Sequence, residues 1–443
     1  MKRFFKHIYL TGRFFTSVSI LVLLFIVAYM FSGLLVMVQM LFFVFLGLVM
    51  LDFLLLFKQK GIRASRVLPE KLSNGDDNPI EISLQNNYNF TSHLQIIDEL
   101  PFQYQKRDFG INTELKRQAS KKITYTLRPL QRGEYHFGNL NLYAQSPLSL
   151  VSRRFQFGKD AMVPNYPSFL QLKKYMLLAF SNKIFEYGLK KIRRIGHTME
   201  FEQIKHYVQG DDLRNINWKA TAKSNQLMVN QYQDERSQPV YSVIDKGRVM
   251  KMPFEGLSLL DYAINASLVI SNVALKKQDK AGIFSFSRKV ENRVVAERRP
   301  SQMNIILETL YNLDTDFVES DFSRLYVDIK RHLNQRSLLL LYTNFETLDA
   351  LHRQLPYLKA IAKNHLLVVI FFENTELQKL TNKMAKNTYA IFEKTIAEKF
   401  IYEKKLIVNE LQKHGIQSIL TPPEHLTINT INKYLEIKAR GLL

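Results

Sequence analysis

Between Gln209 and Trp218 the chain carries its densest run of side chains able to do chemistry, Gln-Gly-Asp-Asp-Leu-Arg-Asn-Ile-Asn-Trp. Two adjacent carboxylates, Asp211 and Asp212, precede Arg214 and the single tryptophan, Trp218. No nucleophile accompanies them, because the chain has no cysteine and shows no Ser-His-Asp pattern. The run predicts a helix that begins near Leu213. Asp211 would cap it, Asp212 would sit favourably in the first turn, and Ile216 and Ala220 would share a face beside Trp218. A structural role would pair Arg214 with a nearby acid and pack Trp218 between domains. A recognition role would make Asp211, Asp212, Arg214, Asn217 and Trp218 a partner-binding epitope, since arginine and tryptophan dominate binding hot spots.

An enzymatic reading rests on His197, Glu200, Glu202, His206, Asp211 and Asp212, six metal-ligand types within 16 positions. Their spacing matches no motif such as His-Glu-x-x-His. A metal-dependent hydrolase centred on His206 and Asp211 is the alternative; the expectation is a protein without catalytic residues.

Several elements must position this run. The 443 residues allow two or three domains. With no cysteine, disulfides and thiolate metal sites are excluded and a reducing compartment fits. The net charge of +21 suits anionic lipid, nucleic acid or an acidic protein. From Phe14 to Phe57 the chain runs apolar for 44 residues, about 66 Å as helix against a hydrocarbon layer of about 30 Å. Two crossings with a turn near Ser32-Gly33 are therefore expected in residues 1–60. Lys2, Arg3, Lys6 and Arg13 flank one end and Lys58, Lys60, Arg63 and Arg66 the other, which places both ends in the cytoplasm. No small-x-small cleavage site interrupts the run, so it is read as an anchor. Asp52, inside the second span, is placed near the headgroups or paired with the basic residues beyond it.

Residues 61–165 read as a β-sandwich. Ile80, Ile82 and Leu84 alternate, as do Ile123, Tyr125 and Leu127, with turn clusters at residues 73–77, 132–133 and 146–147. Residues 166–235 form a connector, helical in part, that holds the signature and a basic cluster at Lys190, Lys191, Arg193 and Arg194. Next to a membrane anchor, anionic lipid is the better ligand for that cluster, and no specific nucleic-acid binding is expected. From 236 to 443 apolar strands (Val240–Ile244, Leu338–Tyr342, Leu366–Phe372 and Ile416–Leu420) alternate with helical stretches, which predicts a doubly wound α/β domain. Ligands of such folds bind at the carboxyl ends of the strands, where Asp245 and Asn344 stand. No Gly-x-Gly-x-x-Gly or Walker lysine motif is present, which removes the common nucleotide routes.

This last domain resembles the von Willebrand factor A fold, in which a strand ending in Asp-x-Ser-x-Ser, a threonine and a later aspartate carry a divalent cation. Here the first motif reads Asp245-Lys246-Gly247-Arg248-Val249 and the later strand ends Tyr342-Thr343-Asn344. Both serines are gone and asparagine replaces aspartate. Asp245, Gly247 and Asn344 thus form a degenerate metal site, with Ser320 or Asp321 in the place of the threonine and Arg248 in reach of the cation's place. Magnesium demands near-octahedral hard oxygens, so no cofactor is expected; a cation-dependent binding domain is the alternative.

Two spans, a β-domain with Asp98-Glu99-Leu100-Pro101 and Arg132-Gly133-Glu134-Tyr135, then Gly210-Asp211-Asp212-Leu213-Arg214-Asn215-Ile216-Asn217-Trp218 and a degenerate A domain: this order resembles the domain of unknown function 58 family over nearly the whole chain. The resemblance implies a bacterial inner-membrane protein whose soluble domains face the cytoplasm. It also implies partners among MoxR-type AAA+ ATPases and other A-domain proteins. The expected function is that of a membrane-anchored adaptor that helps assemble or mature client complexes, with the strand-end face near Asp245 and Asn344 as a docking surface.

Overall fold

The computed structural model describes residues 7–58, 61–158, 160–172, 175, 200–208, 211, 213, 216–233, 237–315, 317–384 and 387–442. Two helices, α1 (Gly12–Met30) and α2 (Leu35–Phe57), are long and apolar enough to cross a membrane. Their 19 and 23 residues correspond to about 28 and 34 Å at about 1.5 Å per residue, close to the hydrocarbon thickness of about 30 Å. A single 3-10 turn, Ser32–Leu34, joins them. Large apolar side chains such as Leu23, Phe43 and Met50 are exposed on them, as a lipid-facing surface requires.

The chain divides into two compact units, Met1–Tyr166 and Pro167–Leu443. In the first, the strands are β1 (Ile8–Leu10), β2 (Ile62–Val67), β3 (Leu72–Ser73), β4 (Asn78–Asn86), β5 (Ser92–Asp98), β6 (Gly110–Leu115), β7 (Ser120–Leu127), β8 (Gly133–Phe137), β9 (Leu140–Gln145), β10 (Val151–Phe157) and β11 (Ala161–Tyr166). They build a five-stranded sheet β1-β10-β9-β5-β6, a three-stranded sheet β2-β4-β7 and a small sheet β3-β11-β8. Strand β4 shows why: Ile80, Ile82 and Leu84 are buried while Glu81 and Gln85 between them are exposed. Ile62, Ile82 and Leu84 from one sheet meet Leu94, Ile96 and Leu142 from the other in one core, two antiparallel sheets packed face to face.

The helical hairpin belongs to this unit. β1 precedes α1 and pairs antiparallel with β10, Ile8 opposite Arg153 and Leu10 opposite Val151. Thr11 caps α1, and its backbone N–H donates to Leu150 O at 3.2 Å. Asp52 is fully buried and accepts three bonds, from Ser146 Oγ, from Leu150 N at 2.9 Å and from Val151 N at 2.8 Å. In place of the basic partner expected for Asp52, a loop of the β-unit supplies backbone and hydroxyl donors. One turn on, Leu56 O accepts from Tyr88 Oη at 2.7 Å and Arg153 Nη1 at 2.6 Å.

The second unit opens with an antiparallel pair, β12 (Glu200–His206) and β13 (Met228–Gln233), with the short helix α3 (Trp218–Ser224) between them. Its main sheet comprises β14 (Pro239–Asp245), β17 (Lys280–Phe286), β18 (Val290–Glu297), β19 (Leu338–Tyr342), β20 (Leu366–Phe372) and β21 (Gln417–Thr421), after a small hairpin of β15 (Pro253–Phe254) and β16 (Leu257–Ser258). The order is β18-β17-β14-β19-β20-β21, parallel throughout except for the edge strand β18. Helices α4 (Leu259–Lys276), α5 (Gln302–Tyr311), α6 (Phe322–His332), α7 (Leu348–Asn364), α8 (Thr375–Thr381), α9 (Thr388–Lys413) and α10 (Leu426–Ala439) surround it. Val240, Ile244, Leu338 and Leu340 pack on one face against α4 and α10; Tyr241, Val243, Leu339 and Leu341 pack on the other against α6, α7 and α9. Burial on both faces is why these strands read as continuous apolar runs.

Candidate functional site

At the carboxyl end of β14, Asp245 is 1% exposed and holds three donors: Gly247 N at 2.8 Å, Ser320 Oγ, and Thr343 Oγ1 at 2.6 Å. Burial raises its carboxyl above the usual range, and the hydrogen bonds from Ser320, Thr343 and Gly247 pull in the other direction. Gly247 is required by this closeness: a Cβ there would stand 2.1 Å from Ser320 Oγ and 3.0 Å from Val318 O. Ser320, not Asp321, takes the hydroxyl position; Asp321 caps α6 instead, accepting from Ser323 N and Arg324 N. Arg248 is exposed and lines the same cleft of about 170 Å³, but forms no ion pair with Asp245 among the described residues. Asn344 is 5% exposed, and its Oδ1 accepts from Lys404 Nζ at 2.6 Å.

This donor set does not fit a divalent cation. Asp245 is the one carboxylate and already holds three donors, and the asparagine oxygen already faces an ammonium. Magnesium would need several hard oxygens free at once. Asp245 and Asn344 are also too buried to touch a partner directly, so the strand-end face presents other side chains, Arg248, Glu346 and Arg353 among them.

In the signature, Asp211 bonds back to β12 and the turn that follows it. It accepts from Lys205 Nζ at 2.8 Å and Val208 N at 3.0 Å, the lysine bond coming first in holding its carboxyl below the ordinary range. The cap is Asn217, whose side chain accepts from Ala220 N at 3.0 Å and donates to Asn230 Oδ1 at 2.8 Å. Ile216 lies outside α3 and bridges Val229, so it shares no helical face with Ala220. Trp218, the first residue of α3, is 70% exposed. Val208, Leu213 and Leu227 are exposed as well. Asp212, Arg214, His197 and the basic cluster 190–194 lie outside the described residues. Among the described residues no three His, Asp or Glu side chains converge as metal ligands.

The β-unit motifs resolve into structure. Asp98 takes Arg66 Nη1 and Tyr125 Oη, and Arg66 also donates to Gly138 O at 2.9 Å. Glu99 accepts from Asn139 N at 2.8 Å and Asn141 Nδ2 at 2.7 Å. These bonds outweigh its desolvation and hold its carboxyl below the usual range.

A membrane-type helical hairpin on a β-unit, followed by a doubly wound α/β unit with a buried aspartate at its sheet edge, defines the class of protein. Within it, residues 203–382 match the family model "Protein of unknown function DUF58", so this segment carries a domain of that family. "Uncharacterized protein YeaD" of Bacillus subtilis (strain 168) is 26% identical over 245 residues, 53% of this chain and 58% of the relative. Among solved structures, the PapD-like domain 7 of human CEP192 aligns with 23% of this chain and 86% of its own at 12% identity and a TM-score of 0.18. The C-terminal domain of wzt aligns with 25% of this chain and 77% of its own at 13% identity and a TM-score of 0.19.

Proposed function

We propose that this protein is a membrane-anchored adaptor that binds a protein partner through the segment bearing Trp218. The observation that carries the reading is the 70% exposure of the chain's single tryptophan inside the family-matched segment. Leaving so large an apolar side chain in water wastes burial worth about 2–3 kcal/mol. Val208, Leu213 and Leu227, exposed close by in sequence, extend the apolar surface, and tryptophan is among the commonest interface anchors.

The α/β unit is proposed to be a degenerate von Willebrand factor A-like domain. Support comes from Asp245 at the end of the first strand of its parallel sheet, with Ser320 and Thr343 gathered on it. In line with the family resemblance, the partner is a MoxR-type AAA+ ATPase or another A-domain protein, and the soluble units face the bacterial cytoplasm. The test is a crosslinking pull-down from native membranes with the tagged full chain, beside Trp218→Ala. The adaptor reading expects an ATPase or A-domain partner that the variant loses and that EDTA does not release. Equal recovery of every partner by the variant defeats the Trp218 epitope, and release by EDTA favours a cation-bridged contact.

A further inference from the structure

Helices α8 and α9 overhang the carboxyl edge of the main sheet and enclose a cavity of about 450 Å³. That volume lies in the usual range for small-molecule sites, about 300–1,000 Å³, and the sheet edge is where doubly wound folds bind ligands. Most of the wall is apolar, with Phe254, Phe372, Leu377 and Phe400 prominent. A half-buried ammonium reaches into it. Lys404, from α9, reaches Asn344 Oδ1 and lies 5.7 Å from the Phe371 ring centroid, with no carboxylate within 4 Å among the described residues. Burial pushes its ammonium down to about 8, with the charge of Glu346 pulling the other way.

The carboxylates that line the cavity form no ion pair with Lys404 among the described residues. Glu373 accepts from Gln378 Nε2 at 3.2 Å and Glu376 pairs with Lys379 at 2.9 Å. Glu346 is exposed and stands beyond ion-pair distance of Lys404, while Lys405 adds a second positive charge to the lining. We propose that this cavity binds a small amphipathic carboxylate, its apolar body between Phe254, Leu377 and Phe400 and its carboxylate on the Lys404 ammonium. The ligand satisfies both halves of the site: the body covers apolar wall and the head completes a half-buried ion pair. The proposal is independent of the Trp218 docking surface.

The test is calorimetric titration of the full chain in lipid nanodiscs, with empty discs subtracted, using hexanoate, hexan-1-ol and hexylamine as probes. Hexanoate is expected to bind about tenfold more tightly than hexanol, because only its carboxylate can accept a charge-assisted bond from the ammonium. Lys404→Met should bring hexanoate down to the hexanol level. Leu377→Trp, which fills the cavity and keeps the lysine, should remove the binding of both. Hexanoate no tighter than hexanol, hexylamine tighter than hexanoate, or Leu377→Trp without effect would each overturn the proposal.

Discussion

Asp245 shows how one residue can organise a site it never exposes. Its three donors come from Gly247, Ser320 and Thr343, residues up to 98 positions away. Gly247→Ala should destabilise the chain by about 1–3 kcal/mol through overpacking against Ser320 Oγ. Ser320→Ala should recover part of that loss in the double variant, a non-additivity that paired denaturation curves would register. Because burial raises the Asp245 carboxyl, the folded chain keeps a proton that the unfolded chain has released. Its contribution is therefore full below the unfolded value of about 3.9 and is lost as pH rises through the folded value. Asp245→Asn should flatten the fall in stability above about pH 4, read from denaturation midpoints at several pH values. Sequence alone named Asp245, Gly247 and Asn344, because they sit at strand ends that the apolar runs mark. It did not show α3, since a helix of seven residues has no periodicity to mark it, nor Asn217 as its cap.

Among the elements, the strands buried on both faces were legible almost to the residue: Leu338–Tyr342 and Leu366–Phe372 are β19 and β20. Strand β18 escaped, because three polar residues in a row, Glu291, Asn292 and Arg293, leave this edge strand neither an apolar run nor an alternation. β12 and β13 escaped for a similar reason, lying in a polar stretch read as a partly helical connector. The attachment of α2 to the β-unit was invisible to any local pattern. It depends on Asp52 finding the backbone N–H groups of Leu150 and Val151, nearly a hundred residues on. Replacing Asp52 with Leu should strand those buried donors. Amide exchange at Leu150 and Val151 should then accelerate by about tenfold or more, while exchange in β4 stays unchanged.

On the scale of the whole molecule, two units with separate cores should melt as two calorimetric transitions. Arg66→Ala, which leaves Asp98 buried without its cation, should lower one transition, costing about 3–5 kcal/mol. Asp245→Ala should lower the other, and neither substitution should move both. A single transition shifted by either variant would contradict the division. The pairing of β1 with β10 also sets an order of events. Ile8–Leu10 leave the ribosome about 140 residues before their partners on β10, a wait of roughly 7–28 s at about 5–20 residues per second. On the membrane-anchored reading proposed above, the hairpin enters its bilayer before the strand ahead of it has anything to pair with. Once the sheet closes over both ends, the chain has been sewn shut on one side of the membrane, and an odd number of crossings is no longer topologically open to it.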